Sequence, residues 1–291
     1  MARRSTVRRG LPSVVVAILV VALTVAVGAL VVLALQRAQG DSVPSGAQSA
    51  PPVASTPPSP SPSASAVALT PPGAAERFLA VGADMIWRAT AGVCGGDPPV
   101  LERSDDGGDT WADVTPTYRG IAQIRDLLPF ADTEADLVAD VGDDCETQAL
   151  RTFTQGTFWS PYDDLLAQST YLDGASVIVD GTALDAPCAQ PWGLRASGDT
   201  AAFICDGTAY ATTDGRTSPI GTGVRALDVL DGTVVGATTA PDCDGIQLAV
   251  LSPDPEPLAC VEGDAAAPLA LSLTADTITV WAGDELVRTA R

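Results

Sequence analysis

The sequence predicts an all-β, antiparallel domain that lies outside a membrane, behind one transmembrane helix and a disordered stalk. Three observations predict this arrangement. An uncharged apolar stretch lies near the N-terminus, a segment rich in Pro and Ser follows it, and the remainder consists of short β-rich runs separated by turn residues.

The apolar stretch, residues 14–35, contains only Val, Ala, Leu, Ile, Gly and one Thr. As a helix it would span about 33 Å, which matches a hydrocarbon core of about 30 Å. Four Arg precede it and one follows closely, so the positive-inside rule places residues 1–13 in the cytoplasm and the rest outside. A cleaved secretory signal is the alternative, but its apolar region is normally shorter and ends at a small-x-small site. We expect an uncleaved, single-pass anchor in the cell membrane.

The stalk, residues 36–75, contains nine Pro and eight Ser among Ala, Thr and Val. No charged residue lies between Asp41 and Glu76. Such a composition cannot bury enough apolar surface to offset the entropy of ordering, so the segment is predicted to be disordered and partly polyproline II. It would act as a spacer between the membrane and residues 76–291.

The charge is divided between the two sides of the predicted membrane segment. Residues 1–40 carry five Arg and no acid, whereas residues 41–291 carry eleven Arg and all 36 acids, which gives +5 and −25. Nucleic acid requires a basic footprint, so the negative field of the larger part excludes DNA and RNA as expected partners. The acidity is interpreted mainly as a solubilising surface.

Residues 76–291 show strand patterns and no convincing helical period. The candidate strands are 78–81, 85–88, 137–141, 201–205, 233–237 and 277–281. Two-residue turn signals follow or join several of them, at Asp206-Gly207, Asp231-Gly232 and Gly283-Asp284.

One segment is more specific, because residues 104–111 fit the pattern Ser-x-Asp-x-Gly-x-Thr-Trp. The fixed positions are Ser104, Asp106, Gly108, Thr110 and Trp111. The pattern resembles the Asp-box, or BNR repeat, of sialidases and related β-propellers, and residues 212–217 contain a shortened echo without the Trp. In that family the box is a structural clasp between two strands of a blade.

The resemblance implies a β-propeller. Counting about four strands per blade gives about five blades, near residues 77–115, 121–162, 192–220, 224–261 and 268–289. A β-sandwich, or an Asp-box fold with fewer blades, is the alternative. The resemblance does not carry sialidase activity, because residues 118–121 lack the order of the Phe/Tyr-Arg-Ile-Pro motif and no carboxylate pair can be assigned by spacing.

Composition removes much ordinary enzyme chemistry. The chain has no His and no Lys, so Ser-His-Asp and Cys-His nucleophiles, His-containing zinc sites, lysine Schiff bases and the P-loop lysine are all excluded. No catalytic residue and no binding residue can be assigned from the sequence.

All six Cys follow the membrane segment, which is typical of disulfides in an exported domain. Fifteen pairings are possible, and sequence order suggests Cys188 with Cys205, Cys243 with Cys260, and Cys94 with Cys145. No cofactor is expected. Calcium is the alternative at two acidic clusters, both of which lack the spacing of a calcium loop: Asp105, Asp106 and Asp109, and Asp143, Asp144 and Glu146.

The favoured interpretation is a membrane-tethered, non-enzymatic binding or scaffold domain that recognises an extracytoplasmic protein or a cell-envelope glycan. The alternative is a surface glycoside hydrolase, sialidase-like, that uses carboxylate and Tyr chemistry. A purely structural or assembly-aiding factor is a third interpretation. The Ala-rich, Arg-only composition is typical of a bacterium with high GC content.

Overall fold

The computed structural model describes residues 69–131 and 133–291. These residues form six antiparallel sheets arranged as the blades of a β-propeller, each built from consecutive strands. The predicted cytoplasmic segment 1–13, the transmembrane helix 14–35 and most of the linker 36–75 lie outside the described residues. Within the part of the chain that is described, no helix is both long and apolar enough to cross a membrane.

Blades 1 and 2 each pair four strands in chain order. Blade 1 consists of β1 (Arg77–Val81), β2 (Ile86–Thr90), β3 (Val100–Ser104) and β4 (Ala112–Asp113). Blade 2 consists of β5 (Ile121–Ala131), β6 (Glu134–Val141), β7 (Glu146–Thr152) and β8 (Ser160–Pro161). A short helix, α1 (Asp163–Leu166), follows blade 2, and single 3-10 turns occur at Gly73–Ala75 and Thr117–Arg119.

Blades 3 and 4 follow. Blade 3 has three short strands, β9 (Tyr171–Asp173), β10 (Ser176–Val179) and β11 (Thr182–Asp185). Blade 4 has four, β12 (Trp192–Ser197), β13 (Thr200–Cys205), β14 (Thr208–Thr213) and β15 (Arg216–Thr222).

Blades 5 and 6 complete the ring. Blade 5 contains β16 (Ala226–Leu230), β17 (Thr233–Ala240), β18 (Cys243–Ser252) and β19 (Glu256–Val261). Blade 6 contains β20 (Leu269–Leu273), β21 (Thr277–Ala282) and β22 (Glu285–Ala290). The predicted turns Asp206-Gly207, Asp231-Gly232 and Gly283-Asp284 each join two neighbouring strands of one blade, so these hairpins are confirmed.

The all-β, antiparallel propeller is confirmed, but the expected count of five blades is wrong. The missed unit is blade 3, which lies between the second and third predicted units. Its strands have only three or four residues each, and one buried apolar residue, Val177, marks the middle strand. Such short runs give no alternation long enough to identify a strand from sequence.

The ring closes between the first and last blades. One inner strand from each blade faces the axis (β1, β5, β9, β12, β16 and β20), and β20 packs against β1. The backbone N–H of Val81 donates to the Ser272 hydroxyl at 2.9 Å, and Arg77 Nη1 donates to the Gly283 carbonyl at 2.6 Å. These bonds join residues far apart in sequence and fix blade 6 against blade 1.

Apolar side chains between adjacent blades form the core. One cluster joins blades 1 and 2 around Trp87 and Trp159, whose rings meet edge to face with centroids 6.2 Å apart. A second cluster joins blades 5 and 6 around Ile246 and Leu271, both fully buried. Because a blade can pack against a neighbour on each face, strands such as β13, β20 and β21 are buried along almost their whole length.

Three disulfides cross-link the propeller as sequence order suggested. Cys188–Cys205 ties the segment before blade 4 to β13, and Cys243–Cys260 joins β18 to β19. Cys94–Cys145 links the β2–β3 loop of blade 1 to the β6–β7 turn of blade 2. The described chain has no free cysteine.

Candidate functional site

The channel along the propeller axis has a wide end and a narrow end. The wide end, called the mouth below, is a cavity of about 720 Å³ lined by the later residues of the inner strands, including Val81, Leu230 and Leu273. The narrow end is a cavity of about 230 Å³ lined by the first residues of inner strands, such as Arg77, Trp192 and Leu269. The two cavities share Arg195, which therefore lies between them.

Blade 3 reaches the mouth through two segments of its chain. Leu165 and residues 168–170, which precede β9, line the mouth, and so does the β10–β11 turn at Asp180. The strand β9 therefore starts at the end of the channel where the other inner strands finish. The short helix α1 is placed at the rim by the same path.

Residues 69–76 cross the narrow end as a strap. Leu69 lies against Gly207 in the β13–β14 turn of blade 4, and the Ala74 and Glu76 carbonyls accept hydrogen bonds from Gly92 and Ala91 of blade 1. Glu76 Oε1 also accepts the backbone N–H of Gly193 at 2.8 Å. Residues that the sequence assigned to the end of the linker thus contact two blades.

The centre of the channel is occupied by the guanidinium of Arg195. Its Nη1 donates to the carbonyl of Leu194 at 2.6 Å and its Nη2 donates to the carbonyl of Arg77 at 2.7 Å. The same group lies 4.6 Å from the ring centroid of Phe78. Two backbone bonds and one aromatic face hold the charge at a fixed point between blades 1 and 4.

Two aspartates from other blades face this charge. Asp126 on β5 and Asp228 on β16 both line the mouth, and burial raises the pKa of each to about 6. The positive charge of Arg195 opposes the effect by lowering both pKa values. Asp228 Oδ2 also accepts the backbone N–H of Leu273 at 2.7 Å. Burial raises the pKa of Glu76 behind them in the same way.

The mouth is strongly acidic. Its lining includes six carboxylates and one cation, Arg195. The carboxylates are Asp126, Asp136, Asp180, Asp199, Asp214 and Asp228. Main-chain and hydroxyl groups of Ser169, Ser197 and Thr212 lie among them. This arrangement offers many hydrogen-bond acceptors and one fixed cation, and it repels anionic ligands.

The predicted Asp-box residues lie elsewhere, at the end of β3 and in the β3–β4 turn. Asp106 accepts hydrogen bonds from the Ser104 hydroxyl at 2.7 Å and from the Thr110 backbone N–H at 2.9 Å. The Ser104 hydroxyl in turn accepts the Gly108 N–H at 2.8 Å. Hydrogen bonds from the Thr110 hydroxyl and the Thr110 backbone N–H hold the pKa of Asp106 well below its usual range. These contacts hold the two ends of the turn together. Membership of this chain in the Asp-box family stays a prediction.

The turn also reaches blade 6. A side chain at Gly108 would collide with Leu286, and Arg288 of β22 donates to the Gly107 carbonyl. The ring of Trp111 lies 3.8 Å from the Arg88 guanidinium, which also faces Trp281 of blade 6 at 5.0 Å. Of the five predicted residues, Gly108 and Trp111 thus lie beside blade 6, and none of the five lines the mouth.

The calcium candidates occupy two different turns. Asp105, Asp106 and Asp109 lie between β3 and β4, whereas Asp143, Asp144 and Glu146 lie at the β6–β7 turn. Across residues 69–131 and 133–291, no three His, Cys, Asp or Glu side chains are arranged to hold a metal ion.

Sequence reasoning missed Arg195, Asp126 and Asp228. Arg195 and Asp228 are each the one charged residue of an inner strand, and Asp126 follows Arg125 on β5. A charge in the middle of a buried run was the available signal, since such a residue must face a cavity or a partner. These three strands come together only when the ring of blades closes. No local sequence pattern indicates which strands will then face one another.

Comparisons with known proteins give only distant structural similarity. No family model and no curated protein sequence matches this chain. Solved structures do match. A mutant of the GH43 protein BlXynB from Bacillus licheniformis aligns over 77% of this chain and 52% of its own, with 13% identity and a TM-score of 0.37. This chain thus spans about half the length of that protein.

Two further structures are similar in the same way. Native Bacillus subtilis arabinanase Arb43A aligns over 74% of this chain and 92% of its own, with 8% identity and a TM-score of 0.38. The Hadza microbial sialidase Hz136 aligns over 74% of this chain and 51% of its own, with 11% identity and a TM-score of 0.37. At such identities and TM-scores, nothing about this chain is concluded from the likeness.

Proposed function

We propose that this chain is a membrane-tethered, extracytoplasmic propeller that binds a glycan of the cell envelope in the mouth of its channel. One observation carries the proposal: a cavity of about 720 Å³ in which Arg195, Asp126 and Asp228 converge from three blades. A large concave site with a few convergent polar groups of perturbed pKa is the usual form of a ligand site.

The chemistry of the lining favours a polyhydroxylated ligand. Carboxylates accept hydrogen bonds from sugar hydroxyls, and the fixed guanidinium donates to ring or hydroxyl oxygens. Six carboxylates against one cation disfavour phosphate, carboxylate or sulfate groups on the ligand. We therefore expect a neutral or amine-bearing glycan. A basic segment of an envelope protein would suit the same charge, and the experiment below separates the two.

The position of the strap agrees with a tethered domain. The chain enters the propeller through Leu69 at the narrow end, where residues 69–76 cover the channel. The mouth lies at the opposite end. With the predicted anchor at residues 14–35 and the predicted linker between them, the mouth would face away from the tether.

Binding of defined oligosaccharides tests this proposal. The full chain in detergent micelles is titrated calorimetrically with cellohexaose, a glucosamine hexamer, an anionic oligogalacturonate and an oligo-arginine peptide. We expect binding of a neutral or amino-sugar oligomer. Asp126→Asn and Asp228→Asn should each weaken it by about tenfold, a loss of about 1.4 kcal/mol, whereas Asp276→Asn in the β20–β21 turn should not. Absence of binding by both oligomers, or capture of a basic peptide only, would overturn the glycan assignment.

The alternative, glycoside hydrolysis, is favoured by one specific observation. Two carboxyl groups with pKa values of about 6 share the mouth, and at neutral pH such groups can exchange roles as acid and base. The mouth lining contains no Tyr, so the Tyr chemistry of the sialidase-like version has no candidate there. Shorter oligomers appearing by mass spectrometry with the wild-type chain, and not with Asp126→Asn, would establish hydrolysis in place of binding alone.

A further inference from the structure

Blade 2 carries an exposed aromatic surface beside the mouth. Phe130, Phe153 and Tyr162 are 45%, 50% and 38% exposed, and the Phe153 and Tyr162 ring centroids are 6.1 Å apart. The Arg151 guanidinium lies 4.6 Å from the Phe130 ring and 5.3 Å from the Tyr162 ring. These three rings and Arg151 are called the shelf below.

The shelf is rigid. Arg151 Nε and Nη2 donate to the two carboxylate oxygens of Asp136 at 2.6 and 2.7 Å, a bidentate pair that fixes the guanidinium between the rings. The Asp136 side chain is 13% exposed, so the pair is partly shielded from water. Exposed aromatic rings held in this way lose little conformational entropy when a ligand covers them.

The shelf is continuous with the mouth. Asp136 and Leu128 both line the mouth cavity, and Leu128 lies two residues before Phe130 on β5. Tyr162 immediately precedes α1, whose Leu165 lines the same cavity. A ligand that fills the mouth and extends over blade 2 would therefore reach the aromatic rings directly.

We infer that the shelf is a second subsite for the same glycan, on which one or two pyranose rings stack. This inference rests on the proposed function. The shelf would bind the part of the glycan that extends out of the mouth. Each ring offers an apolar face of the size of a sugar, and the apolar face of a pyranose carries C–H groups that suit an aromatic π face. Arg151 Nη1 donates no hydrogen bond within the described residues, so it can donate to a hydroxyl at the edge of the stacked sugar ring.

Area and charge favour a glycan over a protein here. The three exposed rings offer on the order of 250 Å², judged from the usual 150–250 Å² of an aromatic side chain. A stable protein interface needs about 800 Å² from each partner. Glu134 and Asp136 flank Arg151, so the shelf is not basic and does not select an anion.

Ring removal tests the shelf. In the oligosaccharide titration, Phe153→Ala and Tyr162→Ala should each weaken binding by about tenfold, a loss of about 1.4 kcal/mol. Tyr162→Phe, which keeps the ring, should retain the wild-type affinity. Phe158→Ala is the matched control, because Phe158 is 65% exposed and contacts no other aromatic ring in the described part of the chain. Circular dichroism would verify that each variant is folded.

The outcomes separate the shelf from the mouth. Binding that is lost with Asp126→Asn but unchanged with both ring variants would overturn the shelf and leave the proposed function standing. Binding lost with the ring variants but unchanged with Asp126→Asn and Asp228→Asn would support the shelf and overturn the mouth. A shorter oligomer, such as a disaccharide, should lose its dependence on Phe153, and equal dependence at both lengths would contradict a distal subsite.

Discussion

Arg195 Nη2 donates a hydrogen bond to the carbonyl oxygen of Arg77 at 2.7 Å, across the channel from blade 4 to blade 1. The bond fixes a positive charge near three carboxyl groups, Glu76, Asp126 and Asp228, whose pKa values are raised by burial and lowered by Arg195. The electrostatics of the mouth therefore depend on one side chain whose position is set by the backbone of another blade.

Replacing the Arg195 charge should change the pKa values of the aspartates in the mouth. In Arg195→Leu the pKa values of Asp126 and Asp228 should rise further above 6, because the opposing positive charge is removed while burial remains. Carboxyl carbon NMR across a pH series measures both. Arg216→Leu, on the exposed strand β15, should leave them unchanged. Unchanged pKa values in the Arg195 variant would contradict the coupling.

The same carboxyl groups should make stability depend on pH. Their folded pKa values, about 6, lie above the unfolded value near 3.8, so the folded state binds more protons between pH 4 and 6. Their contribution is therefore fully present below about pH 4 and is lost as pH rises through 6.

The double variant Asp126→Asn/Asp228→Asn isolates this contribution. Urea unfolding at pH 4, 5, 6 and 7 should show that the wild type loses stability relative to the variant by up to about 1.4 kcal/mol per pH unit and group over this range. The exposed variant Asp276→Asn provides the control. A constant difference from pH 4 to 7 would contradict the raised pKa values.

Substitution of Ser272 should lower the stability of the protein, because Ser272 joins blade 6 to blade 1. In Ser272→Ala the Val81 N–H loses its acceptor inside the blade 1–blade 6 contact, where Ser272 is buried. We expect a loss of about 1–3 kcal/mol in the free energy of unfolding, the usual cost of an unsatisfied buried group. Ser218→Ala on the exposed face of β15 should cost much less. Equal effects of the two substitutions would show that the closing bond is not stabilising.

The three disulfides should differ in how much each contributes to the free energy of unfolding. In the chain-entropy model, Cys94–Cys145, which closes a separation of 51 residues, constrains the unfolded chain by about 4 kcal/mol, and each bond of separation 17 by about 3 kcal/mol. Paired Cys→Ala variants compared by chemical unfolding should follow that order. Peptide mapping without reduction should recover the three pairs, and any other pairing would contradict the structure.

The β3–β4 turn should loosen when its clasp is removed. Asp106 accepts bonds from Ser104 and Thr110, and its depressed pKa means that the clasp is present at neutral pH and is lost as pH falls through the folded pKa. In Asp106→Ala we expect faster hydrogen exchange at the Thr110 and Gly108 amides. Asp109→Ala, in the same turn, is the control. Unchanged exchange in the Asp106 variant would show that the side chain does not clasp the turn.

Much of the fold could be predicted from the sequence because its signals are local. The runs at 201–205 and 277–281 are short β-rich segments, and Asp231-Gly232 marks a hairpin, each within ten residues. Blade 3 escaped prediction because its strands are too short to show a period. The mouth escaped because Asp126, Arg195 and Asp228 meet only when three blades close around one axis.

The most direct test of the mouth is hydrogen exchange of the full chain, measured by mass spectrometry with and without a saturating oligosaccharide. We expect slower exchange in residues 126–129, 168–170 and 228–230, which line the mouth, and no change in the strap, residues 69–76. Slower exchange confined to the strap or to the outer strands β15 and β19 would contradict a ligand site in the mouth.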